Sequence, residues 1–221
     1  MKLTRENKLG RNAAAFTLIE LLVVIVIIVI LAALLLPGGG PKKKGKIVWC
    51  LSNLKQVGLG FSMWAGDNGG KYPMQVSVTN GGTMEYVSSG MAYVHFLRLS
   101  NIVVRPSVFV CPVDKDRTAA NDFNRGFGNN NVSYFIALET ATNQPASTIL
   151  SGDRNLTIDG AIPQRFLMEI TSNNLVSWSK DFHPNGGCLV FADGHAEFCR
   201  TNAITQKFQA TGLATNRLVL P

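Results

Sequence analysis

None of the four cysteines, Cys50, Cys111, Cys188 and Cys199, belongs to a CxxC pair. The local spacing of a zinc ribbon or a thioredoxin-like redox centre is therefore missing. The chain also lacks G-x-S-x-G, HExxH and any phosphate-binding glycine loop ahead of a helix, so no enzyme class is indicated and no cofactor is expected. No internal repeat is present. From Ile47 onward there is no excess of either charge: 13 basic and 12 acidic side chains contribute only +1 of the formal +7. A phosphate-neutralising surface requires clustered Lys and Arg on the domain itself, and nucleic acid is not expected as a partner.

The remaining basicity flanks one apolar segment. Lys2, Arg5, Lys8 and Arg11 precede it against Glu6, and the lysines of PKKKGK follow it; anionic lipid headgroups suit such charges. Residues 16–36 span about 31 Å as a helix, close to the hydrocarbon thickness of a bilayer of about 30 Å. A discarded secretory signal has a shorter apolar region and a small-residue cleavage site after it, whereas this run leads into Pro-Gly-Gly-Gly-Pro. Glu20 sits at its entrance. An ionisable group there calls for a partner, or else caps the helix start, where the dipole favours negative charge. All four cysteines follow the run, and an even number on one side of a membrane suits an oxidising compartment.

The string Ala15-Phe16-Thr17-Leu18-Ile19-Glu20 resembles the N-terminal signal of type IV prepilins and type II secretion pseudopilins. The resemblance implies cleavage between Ala15 and Phe16 by a prepilin peptidase and N-methylation of Phe16. It makes Glu20 the fifth mature residue, with a role in assembly, and Pro37 a helix kink. Ala15 departs from the glycine usual before the cut. The implied product is a single-pass protein of the bacterial inner membrane, N-terminus cytoplasmic and globular domain periplasmic. It would polymerise with copies and related pseudopilins into a filament that supports protein secretion. A membrane-tethered binding module that never assembles is the alternative. Charge pairing of Glu20 with the new amine of its own or the next subunit would set the register between helices. The expected organisation is a leader at 1–15, a transmembrane and assembly helix at 16–36, a Gly/Pro/Lys hinge at 37–46 and a pilin-like globular domain at 47–221. The fold class is α+β, with an amphipathic helix and a small antiparallel sheet after the membrane helix.

In the globular part, Ile47, Leu51, Leu54, Gly58, Phe61 and Ala65 step by three and four along one face of a helix, stopped by Gly66-Asp67-Asn68-Gly69-Gly70. Asn53 and Gln56 fall off that stripe and read as a solvated face. The segment beginning Cys50-Leu51-Ser52-Asn53-Leu54-Lys55-Gln56 resembles a sub-group of pseudopilin-like proteins with a C-x-x-N-L-K-Q element. Strands are expected at 107–112, 132–138, 148–152 and 175–178; residues 91–100 suit a short helix or a strand, with helix favoured, and His95 there reads as a packed or surface histidine. Asp114 and Asp116 are carboxylates of the kind some pseudopilin loops use for calcium, although an acidic loop is usually just solvated.

Asp193-Gly194 between apolar runs predicts a two-residue hairpin. That register pairs Val190 with Glu197 and sets Cys188 opposite Cys199 at about 5.5 Å, within disulfide reach; Cys50 and Cys111 are then the leftover pair. The spacing of His183, nine residues, Asp193-Gly194 resembles a C-terminal motif of the same sub-group. A shared ion among His183, Asp193 and His195 is not expected, because the intervening strand spans about 20 Å.

Overall fold

The computed structural model describes residues 17–35, 41–140, 142 and 144–221. The leader, Ala15, Phe16 and Pro37 lie outside the described residues. The chain divides into two units, 1–42 and 43–221, each taken by itself.

In the first unit, Leu18–Leu35 forms helix α1. Its start is a capping box: the Glu20 N–H donates to Thr17 Oγ1 at 3.3 Å, while Glu20 Oε2 accepts from the Thr17 N–H at 2.9 Å and its hydroxyl at 2.8 Å. The large apolar side chains from Leu18 to Leu31 are exposed around the helix. Among the described residues no helix is long and apolar enough to cross a membrane. The 18 residues of α1 rise about 27 Å; Phe16 and Leu36, which would complete the expected span, lie outside the described residues.

Helix α2 covers Pro41–Asp67, so residues 41–46 of the expected hinge are helical, while 37–40 lie outside the described residues. Proline is tolerated in a first helical turn, where its missing N–H has no partner to lose, and lysine is a good helix former. The predicted stripe is buried through Leu54, Phe61 and Ala65, with Cys50 and Val57 alongside. Asn53 is a correction. It is buried rather than solvated, and its Nδ2 donates to the Val110 carbonyl at 3.2 Å, because the buried arc is wider than the stripe and Asn53 lies one turn from Cys50. Gln56 is exposed as expected. Gly58 allows the helix to approach the sheet closely: a Cβ there would lie 2.6 Å from Val190 Cγ2.

The strands are β1 (Tyr134–Ala137), β2 (Ile149–Asp153), β3 (Leu156–Ile158), β4 (Leu167–Thr171), β5 (Val176–Trp178), β6 (Gly186–Phe191), β7 (Ala196–Arg200) and β8 (Thr215–Val219). Six form an antiparallel sheet in the order β4-β8-β1-β2-β6-β7, and β3 pairs with β5 apart from it. Alternation along β1 sends Tyr134 and Ile136 to the face packed by α2, and Phe135 and Ala137 to the other. That other face is covered by β3, β5 and the short helix α4 (Ile204–Gln209). Both faces are therefore buried, which is why YFIA and CLVF read as continuous apolar runs rather than alternating ones.

Residues 107–112 do not form the expected strand. Pro106–Phe109 is a 3-10 turn, which proline favours through its fixed φ. The predicted short helix is present as α3, Tyr93–Leu97. His95 is fully buried there, its Nδ1 2.7 Å from Thr83 Oγ1 and its Nε2 without a partner. Burial pushes the imidazole down to about 4 from 6.5. As pH falls, the unfolded chain then takes up this proton before the folded one does. The stabilisation is complete above about pH 6.5 and is lost on the way down to about pH 4, a decrease of about 3 kcal/mol. The difference in stability between wild type and His95→Gln, measured by chemical unfolding at pH 7, 5.5 and 4, should show this limb. An equally steep limb in the variant would refute the assignment.

Candidate functional site

The Asp193-Gly194 turn is present, but the loop is one residue longer than expected. Gly194 N–H donates to the Phe191 carbonyl at 2.9 Å and Phe191 N–H to the His195 carbonyl at 3.0 Å, with Gly194 at φ +83°. This is a three-residue connection with glycine in the left-handed region. The register slips by one: Val190 faces Ala196, Cys188 faces Phe198 and Cys199 faces Gly187. A one-residue slip moves a side chain to the opposite face, so Cys188 packs in the cluster under α2 and Cys199 in the cluster on the other face. The predicted Cys188–Cys199 bridge is corrected on this ground, and all four cysteines are free thiols, Cys50 and Cys111 included. At the turn, His195 bonds to Asp193 and stacks on Phe191 at 4.3 Å.

His183 goes elsewhere. It precedes β6 and bridges to Gly186 around Pro184-Asn185, with Asn185 at φ +64°; asparagine tolerates this conformation better than most residues. This bend aims the imidazole inward. Its Nε2 lies 3.4 Å from Cys111 Sγ and 3.6 Å from Asp153 Oδ2. Cys111 arrives two residues after the 3-10 turn, Asp153 ends β2, Cys188 lies on β6 and Cys50 on α2. The Cys50 thiol donates to Asp153 Oδ1 at 3.3 Å, and the Cys188 N–H donates to Asp153 Oδ2 at 2.7 Å. Tyr134 Oη is 3.8 Å from Cys50 Sγ. The donor atoms of Cys50, Asp153, His183 and Cys188 all lie within 4.8 Å of one another.

The cluster is sealed: Cys50, Cys111, Cys188, Asp153 and Tyr134 have no exposure and His183 has 1%. Burial pushes the Asp153 carboxyl up to about 7, opposed by the Cys188 N–H and the thiols. Burial pushes His183 down to about 4 and raises the Cys50 thiol well above its usual value. Low dielectric thus disfavours every charged form in a group that contains two thiols, an imidazole and a carboxylate in mutual reach. Sequence spacing missed this set because its members come from separate places along the chain.

The two loop carboxylates considered for calcium are already engaged. Arg154 Nε and Nη2 bond Asp114 at 2.9 Å each, and Nη2 bonds Asp116 at 2.8 Å. A bidentate guanidinium of this kind occupies the oxygen lone pairs a cation would use.

At its N-terminus the chain matches the prokaryotic N-terminal methylation motif over residues 10–36. It carries the type IV prepilin-like signal, which implies processing by a prepilin peptidase and pilin-like assembly, and points to membrane anchoring. The expected motif of His183 and Asp193-Gly194 has no such match. No curated protein and no solved structure matches the chain.

Proposed function

We propose that the chain is the precursor of a non-catalytic, pilin-like structural subunit, of the type II secretion pseudopilin or type IV pilin kind. A prepilin peptidase cuts it between Ala15 and Phe16. The observation that carries this reading is the methylation motif at residues 10–36, reinforced by Glu20 standing at the N-terminal turn of a helix whose apolar side chains lie exposed. Such a surface in water is a liability; in a bilayer or against other copies of the same helix it is an assembly surface.

In this reading the apolar segment of residues 16–36 holds the subunit in the inner membrane before assembly, with the globular unit in the periplasm. Filament growth then packs the helices side by side in support of protein secretion. Mass spectrometry of the protein isolated from its membrane should find a chain that begins at N-methylated Phe16. An intact Met1 would overturn the reading in favour of a plain tether. Crosslinking through positions 21–31 should then give ladders of multimers; monomers alone would favour the tethered binding module.

A further inference from the structure

We infer that Cys50, Asp153, His183 and Cys188 form a structural site for a thiophilic divalent cation, zinc in the first instance, sealed between α2 and the central strands of the sheet. Cys111 borders it as a further thiol.

The first ground is geometry. Zinc bonds of about 2.0 to 2.3 Å in a tetrahedron set neighbouring donor atoms about 3.3–3.8 Å apart. Asp153 stands between two of the others, with Oδ1 3.3 Å from Cys50 Sγ and Oδ2 3.6 Å from His183 Nε2, so a small rotation of the carboxylate brings one oxygen into range of both. The whole set of four converges within 4.8 Å. Each ligand rides on a separate piece of the fold: α2, the end of β2, the bend before β6, and β6 itself.

The second ground is chemical. Hydrophobic packing does not call for a carboxylate, an imidazole and two thiols at one point of zero or near-zero exposure, and buried groups of this kind are normally paired or bound to metal. Thiols are weak hydrogen-bond donors, so Asp153 has one strong partner, the Cys188 N–H. A cation satisfies all four groups at once. On binding, Cys50 and Cys188 each release their thiol proton to solvent. The two thiolates and the Asp153 carboxylate then leave the dication with a net charge of −1, and Tyr134 Oη, 3.8 Å from Cys50 Sγ, is placed to donate to that thiolate.

The third ground is selectivity. Two sulfur donors and one nitrogen suit zinc and disfavour calcium and magnesium, which take oxygen ligands. With four protein ligands and no exposure the site is closed, as structural rather than catalytic zinc sites are.

The test uses the detergent-solubilised full chain, purified without chelator and with thiols reduced. Elemental analysis should find about one zinc per chain. Replacement by cobalt(II) should give intense visible bands and a near-ultraviolet thiolate charge-transfer band. Cys50→Ser with Cys188→Ser should lower the bound zinc at least about tenfold, while Cys199→Ser, on the other face of the sheet, should leave it unchanged. Because the double variant risks misfolding, the wild-type cobalt spectrum stands as an independent reading. Wild-type protein that takes up neither zinc nor cobalt would overturn the proposal. So would a double variant that keeps its zinc, or native protein in which these cysteines are found joined as disulfides with no metal bound.

Discussion

Truncation of Phe109 to alanine should lower the stability of the globular unit by about 3–5 kcal/mol. The ring is fully buried and meets Phe96, Phe123 and Phe127 edge-to-face, with centroids 5.6, 5.9 and 5.8 Å away. Three aromatic partners would lose their contacts together. The 3-10 turn that carries Phe109 is held between Pro106 and the segment leading to Cys111, so little collapse into the void is available. With a urea dependence of about 2 kcal/mol per M, the unfolding midpoint should fall by about 1.5–2.5 M. A shift of under about 0.5 M would mean that the four-ring cluster is not a keystone of the core.

The second large effect concerns assembly. If, as in the proposed assembly, Glu20 pairs with the amine of the mature N-terminus, Glu20→Gln should reduce filament formation by about a hundredfold or more, because removal of one member of a low-dielectric charge pair strands the other. The substitution isolates charge from capping. Glutamine serves in a capping box as glutamate does, so the bonds exchanged with Thr17 survive in the variant while the charge does not. Processing at Phe16, read by mass spectrometry, serves as the internal control. A Glu20→Gln variant that is cut normally and polymerises like wild type would reduce Glu20 to a helix cap. Glu20→Ala would then be the more damaging change.

Much of the globular unit was legible in the sequence. The stripe from Leu54 to Ala65 found the buried face of α2, and the runs at 132–138, 148–152 and 175–178 found β1, β2 and β5. These signals are local, because periodicity and turn residues act within a few positions. The failures are cases where distant structure decides. Asp193-Gly194 announced a hairpin correctly, yet whether two or three residues make the loop depends on which register buries both faces of β6; here three do, and Cys199 changes sides. Asn53 lies beside the stripe rather than on it, and the carbonyl it satisfies is at Val110. Residues 107–112 have strand-like composition, but Pro106 starts a 3-10 turn. The Cys/His/Asp cluster was the least legible, because metal-ligand spacing rules describe ligands close together in sequence, whereas this set is gathered by the sheet. A hint was available: Cys50 falls one turn before Leu54 on the inward face of α2.

Glu20 itself is sharper than the sequence made it. The choice between a cap and an assembly charge does not exclude either, since the bonds to Thr17 use Oε2.

In the proposed assembly, a pull on the subunit's N-terminal end would enter the globular unit through α2. Cys50 on that helix is bonded to Asp153 of β2, whose carboxylate takes the Cys188 N–H of β6, and Gly58 lets the helix rest on Val190 of the same strand. The load therefore passes into two interior strands of the order β4-β8-β1-β2-β6-β7. Both strands are interior, so a pull delivered there would meet a paired ladder on either side rather than a free edge. The fold is braced where traction would arrive.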